Sequence, residues 1–149
     1  MSLHAPTVLL VEDDPNDARL VQRAFSRGAA EVSVLRLQNG DEAVSYLRGD
    51  PPYDNRHAHP MPAIVLLDIK LPRRSGFEVL QWVRTQTDFL RRLPVVMLTS
   101  STHSADVNRA YDLGVNSYVA KPESTEQLNE LVQLFSSYWL AINRAPATS

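Results

Sequence analysis

The stretch Pro62–Pro72 reads PAIVLLDIKLP. Five consecutive apolar residues, Ala63 to Leu67, run directly into an acid, Asp68, and Pro72 stops any regular pairing. An unbroken apolar run of strand length between prolines describes a strand covered on both faces, as in a parallel sheet. A lone acid at the end of such a strand is ordinarily the chain meeting water. Asp68 means more only if other polar residues fall at equivalent places.

Four other runs belong with it. TVLLV (Thr7–Val11) and PVVML (Pro94–Leu98) have adjacent apolar residues, VSVLRL (Val32–Leu37) alternates in part, and NSYVA (Asn116–Ala120) is a weaker fifth. Partial alternation suits Val32–Leu37 to the sheet edge. Helical patterns lie between them. Asp14 as a cap and Pro15 in the first turn predict a helix from Pro15 to Arg27, stopped by Gly28. Shorter helices are expected at Asp41–Leu47, Gly76–Gln86 and Ser104–Leu113. From Ser124 a long helix carries Leu128, Leu131, Val132, Phe135, Tyr138, Trp139 and Ile142 on one wide stripe. Strands alternating with helices give an α/β fold, a parallel sheet with helices on both faces. Gly49–Pro62 holds four of the ten prolines and reads as an irregular loop, while Arg144–Ser149 reads as a frayed tail.

The chain has 149 residues, enough for one domain with a core, which we place at about residues 7–142. A net charge of −2 gives no reason to expect a nucleic-acid partner or a polybasic membrane anchor. The chain has no cysteine, which excludes disulfides and thiolate chemistry and fits a reducing compartment. No apolar run approaches the ~20 residues of a membrane span, and Met1–Asp14 lacks the features of a signal peptide. The expectation is a cytoplasmic protein.

In an open parallel sheet, ligands sit beyond the C-terminal ends of the strands, where the strand order reverses. The first run ends in Glu12, Asp13 and Asp14, the third in Asp68, the fourth in Thr99 and Ser100, and the fifth in Lys121. One edge of the sheet therefore collects acids, a hydroxyl and a lysine. Each alone has an ordinary explanation as a cap, a loop hydroxyl or a solvated charge. All of them at strand ends is a different matter. Two carboxylates ~4 Å apart repel by about 4 kcal/mol at an effective dielectric of 20, so one takes a proton or a metal joins them. Oxygen ligands without His or Cys suit Mg2+, which leaves positions for phosphate oxygens. With a lysine and a hydroxyl donor the set describes phosphoryl transfer, and a carboxylate can itself be the nucleophile.

VLLVEDDPNDA, IVLLDIKLP, VVMLTSS and YVAKP together resemble the receiver domains of bacterial two-component response regulators, over about Val8 to Trp139. The resemblance implies a flavodoxin-like receiver fold, a doubly wound five-stranded parallel sheet of order 2-1-3-4-5. It implies that a histidine kinase phosphorylates Asp68 and that Mg2+ is held by Glu12, Asp13, Asp68 and the Lys70 carbonyl. Thr99 becomes the switch hydroxyl, Lys121 the phosphate-binding lysine, and Tyr118 the aromatic that turns inward on activation. Lys70, Ser100 and Ser101 would tune the lifetime of the phosphate. In many relatives the bond corresponding to Lys121–Pro122 is cis. The proline-rich loop, LPRRSGFEVLQWVR and SSYWLAIN are similar to stand-alone regulators of phytochrome-type sensor kinases. The expectation is one receiver domain over residues 1–149 with no output domain, signalling by contact. Glu123 stands where the family often has an aromatic.

Rival readings are a small-substrate phosphatase or hydrolase using Asp68, and a docking receiver that is never phosphorylated. The first usually needs a second acid two residues on, where this chain has Lys70. The second is at odds with the full set of acids, Thr99 and Lys121. His57 and His59 read as solvated loop histidines, and Trp82 as packing or a surface aromatic on the third helix. Tyr138, Trp139 and Ile142 extend beyond what a core needs and are expected to form a partner face, most simply in a homodimer.

Overall fold

Each expected strand forms: three of them stop just before Glu12, Asp68 and Lys121, and a fourth takes in Thr99 as its last residue. The computed structural model describes residues 5–28 and 31–147. The order of elements is β1 (Thr7–Val11), α1 (Pro15–Ser26), β2 (Ser33–Leu37), α2 (Gly40–Arg48), β3 (Ile64–Leu67), α3 (Gly76–Thr85), α4 (Asp88–Arg92), β4 (Val95–Thr99), α5 (Ser104–Asp112), β5 (Ser117–Ala120) and α6 (Thr125–Ser137), followed by a π-helical turn (Tyr138–Ile142). All strand pairs are parallel, and the sheet order is β2-β1-β3-β4-β5.

The pleat divides the apolar runs between two cores. Leu9, Val11, Val65, Leu67, Val95 and Met97 face one way, against side chains of α2, α3 and α5. Val8, Leu10, Ile64, Leu66, Val96 and Leu98 face the other way, against α1 and α6. Both faces are thus covered, which explains why the runs do not alternate. Phe25 and Phe135 join α1 to α6 edge to face, with centroids 5.8 Å apart.

Local chemistry sets the helix starts. Asp14 caps α1, its side chain accepting from the Asn16 and Asp17 amides, with Pro15 in the first turn. Ser75 and Glu78 form a reciprocal capping box at the start of α3. Among the described residues the cis peptide bond is Pro51–Pro52, and Lys121–Pro122 is trans. No helix among them is long and apolar enough to cross a membrane.

Several expectations change. A short helix, α4, fills the gap before β4, and its cap residue Thr87 makes no side-chain cap bond. Its role is to bury Phe89, which no periodic pattern announces in so short a segment. The last helix is not continuous to Ile142. Regular α-helix ends at Ser137, and the wider π turn brings Trp139 and Leu140 against the core while Tyr138 and Ile142 stay exposed. Trp139 is therefore not surplus. His59 is not a solvated histidine: it packs edge to face on Tyr46 and Tyr53, and its Nδ1 is buried without a hydrogen-bond partner among the described residues. His57 is exposed as expected, and Trp82 packs against the core. Arg144–Ala147 forms no regular element, while the rest of the expected tail and the residues before Ala5 lie outside the described residues.

Candidate functional site

The hydrogen-bond ladder continues one residue beyond the strands and fixes the backbone of three polar residues. The Glu12 amide donates to the Leu37 carbonyl (3.0 Å), the Asp68 amide to Val11 (3.1 Å) and the Lys121 amide to Thr99 (2.8 Å). The pleat then sets where each side chain leaves the sheet. Glu12, Asp13 and Asp68 each offer an oxygen within 4.8 Å of the others. Glu12, Asp68 and Thr99 are buried, Asp68 to 8 % exposure, while Asp13 is exposed.

Lys121 closes the group. Its Nζ donates to Glu12 Oε1 (2.6 Å), Asp17 Oδ2 (2.9 Å) and Asp68 Oδ2 (2.9 Å), which uses all three ammonium protons. The other oxygen of Asp68, Oδ1, accepts from the Ile69 amide at 2.7 Å. Burial disfavours the Lys121 charge, yet the hydrogen bonds to Glu12, Asp17 and Asp68 outweigh it and hold the ammonium well above the usual lysine range. Burial raises the Glu12 carboxyl, and the Asp68 charge adds to this, against the lowering effect of the Lys121 hydrogen bond. A second cation would relieve this set, and three clustered carboxylates with no nitrogen or sulfur ligand fit Mg2+ or Mn2+.

A second hydrogen-bonded group links the loop after β4 to β5 and α5. The Tyr118 hydroxyl donates to the Ser101 carbonyl (2.9 Å), and the Ser101 hydroxyl donates to Asp106 Oδ2 (2.6 Å) in the first turn of α5. Tyr118 is half-buried and packs on the α2/α3-side core. Lys70 and Ser100 are exposed at the rim. Tyr138, Trp139 and Ile142 lie on the π turn that follows α6, not among the acids.

Three further residues contact this group, and none has a role in the sequence pattern. Asp17 falls inside the helix expected from Pro15 to Arg27. It stands in the first turn of α1, where side chains lean back toward the N-terminus, so it reaches Lys121. The signal was there, an acid in the first turn after an acidic strand end. Asp106 had no such signal. Gly76 also contributes, because a Cβ on it would lie 2.1 Å from the Asp68 carbonyl oxygen.

A description of the response regulator receiver domain matches residues 8–133. The chain belongs to the response regulator receiver family. It is 37% identical to response regulator Rcp1 of Synechocystis, over 94% of this chain and 92% of Rcp1. It is 41% identical to a protein of Methanothrix harundinacea named "Probable methanogenesis regulatory protein FilR2", over 93% of this chain and 86% of that one. Among solved structures it resembles the phosphorylated cyanobacterial phytochrome response regulator RcpA, with a TM-score of 0.89 and 34% identity over 97% of this chain and 100% of RcpA. The Mn(2+)-bound form of Rcp1 superimposes with a TM-score of 0.86, covering 95% of this chain and 99% of Rcp1. This receiver is therefore a phosphoacceptor signalling protein that works with histidine kinases, and its acidic cluster has the ligands to hold a divalent metal ion.

Proposed function

We propose that Asp68 accepts the phosphoryl group and that this receiver serves a phytochrome-type histidine kinase. The observation that carries the first part is the Asp68 carboxylate itself, buried, ladder-fixed and facing both Lys121 and the two other acids. The kinship with RcpA supports the second part.

The Asp68 carboxylate attacks phosphorus in the kinase phosphohistidine. A P–O bond forms, and the P–N bond breaks with its electron pair returning to the imidazole. The Lys121 N–H now donated to Asp68 Oδ2 turns to donate to a phosphoryl oxygen, the ammonium keeping its proton, while Glu12 and Asp17 hold the lysine in place. Mg2+, held by Glu12, Asp13, Asp68 and the Lys70 carbonyl, would neutralise negative charge on the phosphoryl oxygens. Thr99 donates its hydroxyl to the phosphoryl group and draws the β4–α5 loop inward, where Tyr118 already bonds Ser101. Loss of the phosphate is attack by water on phosphorus, with Lys70, Ser100 and Ser101 setting its access. The test is transfer of labelled phosphate from a phytochrome-type kinase, ranked against other histidine kinases. Faster transfer from an unrelated kinase rejects the pathway but not the acceptor.

The metal makes its own prediction. Mg2+ should raise the melting temperature, since a ligand at ~100 times its dissociation constant adds about 2.7 kcal/mol. Asp13→Ala should lose that response and melt higher than wild type without metal, because one repelling carboxylate is gone. Scanning calorimetry with and without Mg2+ decides it. An undiminished response in Asp13→Ala would place the metal elsewhere.

Homodimerisation through the last helix completes the reading. Leu134, Tyr138 and Ile142 are 70%, 49% and 68% exposed and spaced four residues apart, so they form one apolar strip. A C2 partner would bury this strip on its own copy. Covering an isoleucine contributes about 1.5–3 kcal/mol, tenfold or more in affinity. Ile142→Ala should therefore weaken a dimer seen by sedimentation equilibrium without altering the circular dichroism. Trp139→Ala is a poorer probe, because Trp139 packs on the core. A wild type that stays monomeric in both phosphorylation states would reject the dimer.

A further inference from the structure

One arginine is committed to the backbone of the acids. Arg36 lies near the end of β2, paired in register with Leu10 of β1, on the face that carries α1. Its Nε donates to the Glu12 carbonyl and its Nη2 to the Asp13 carbonyl, both at 3.0 Å. Among the described residues it pairs with no carboxylate. A guanidinium offers two parallel donors in a fixed fork, and here the fork spans two successive carbonyls.

The two carbonyls are not equally in need of it. The Glu12 backbone is already held through its amide by Leu37, and Asp14 is held by its cap on α1. Asp13 lies between them in neither strand nor helix. Among the described residues the bond from Arg36 is the one hydrogen bond Asp13 makes. Asp13 is also the exposed member of the acidic cluster.

We infer that Arg36 is a positioning residue for the metal site: its fork fixes the Glu12–Asp13 backbone so that the Asp13 carboxylate stays directed at the cluster. This rests on the reading of Glu12, Asp13 and Asp68 as a divalent-metal site. Two roles for the arginine predict opposite signs. As a clamp it tightens metal binding, because a freed Asp13 must be ordered again when the cation enters. As a mere positive charge beside the site it would weaken binding.

The experiment is calorimetric titration of Mg2+ into unphosphorylated protein, on wild type, Arg36→Lys and Arg36→Gln, with metal-free melting curves alongside. Arg36→Lys keeps the charge and loses the fork; Arg36→Gln loses both. The clamp predicts a Mg2+ dissociation constant raised about fivefold in each, about 1 kcal/mol at 1.4 kcal/mol per tenfold. A brace that serves only the fold would lower the metal-free melting temperature and leave the dissociation constant alone, which overturns the inference. Tighter binding in Arg36→Gln also overturns it, in favour of charge. If wild type itself binds no Mg2+, the metal-site reading falls and takes this inference with it. If wild type binds and Arg36→Lys binds equally well, only the inference falls.

Discussion

Asp68→Asn should take up no phosphate from a histidine kinase or from acetyl phosphate, while remaining folded. The amide matches the carboxylate in shape and removes its nucleophilicity. Lys121 keeps Glu12 at 2.6 Å and Asp17 at 2.9 Å as partners, so the substitution leaves no unpaired buried cation. It also removes one member of a mutually repelling group, so its melting temperature without metal should not fall. Intact-mass spectrometry after incubation with acetyl phosphate and Mg2+ reads the result. The wild-type adduct should be single and labile to hydroxylamine, as an acyl phosphate is. A wild-type level of adduct in Asp68→Asn would move the acceptor to another residue.

Gly76→Ala should damage the same chemistry from behind. A Cβ there would lie 2.1 Å from the Asp68 carbonyl oxygen and 2.9 Å from its carbonyl carbon and from the Ile69 Cα. These are backbone atoms, so no rotamer change gives room. The Gly76 amide also donates to the Ile69 carbonyl at 2.9 Å, which binds the start of α3 to the residue after Asp68. Overpacking of this kind costs about 1–3 kcal/mol. In a domain of this size that lowers the melting temperature by several degrees, roughly 2–4 °C per kcal/mol. The phosphorylation rate should fall further than stability explains, because the displaced atoms carry the nucleophile. A variant that melts and phosphorylates as wild type does would mean the backbone yields there at no cost.

Both predictions depend on contacts of different legibility. That Asp68 ends a buried strand is written in Ile64–Leu67, whose residues are apolar on both faces and leave only a parallel interior position. The same logic placed Glu12, Thr99 and Lys121 at one edge, since the sheet brings strand ends together whatever lies between them in the chain. Gly76 looked like a helix start and nothing more. Its close approach to Asp68 exists only once the β3–α3 loop folds back on itself. Asp88, with φ of 56°, opens α4 in a backbone conformation that no local pattern in the sequence announces.

Periodicity determined the strands, the main helices, the sheet class and the acids, hydroxyl and lysine at its edge, because those follow from which face of each element must avoid water. The tertiary structure alone decided which acids Lys121 selects, with Asp17 a partner 104 residues away in the chain. It decided that Arg36 crosses from β2 to the backbone of Glu12 and Asp13. It also decided that Trp139 turns inward and Ile142 outward, since a π turn changes the angle between successive side chains by an amount that a hydrophobic stripe does not encode. Side chains on separate elements meet through packing and register, and a linear pattern holds information about neither until the sheet is assembled.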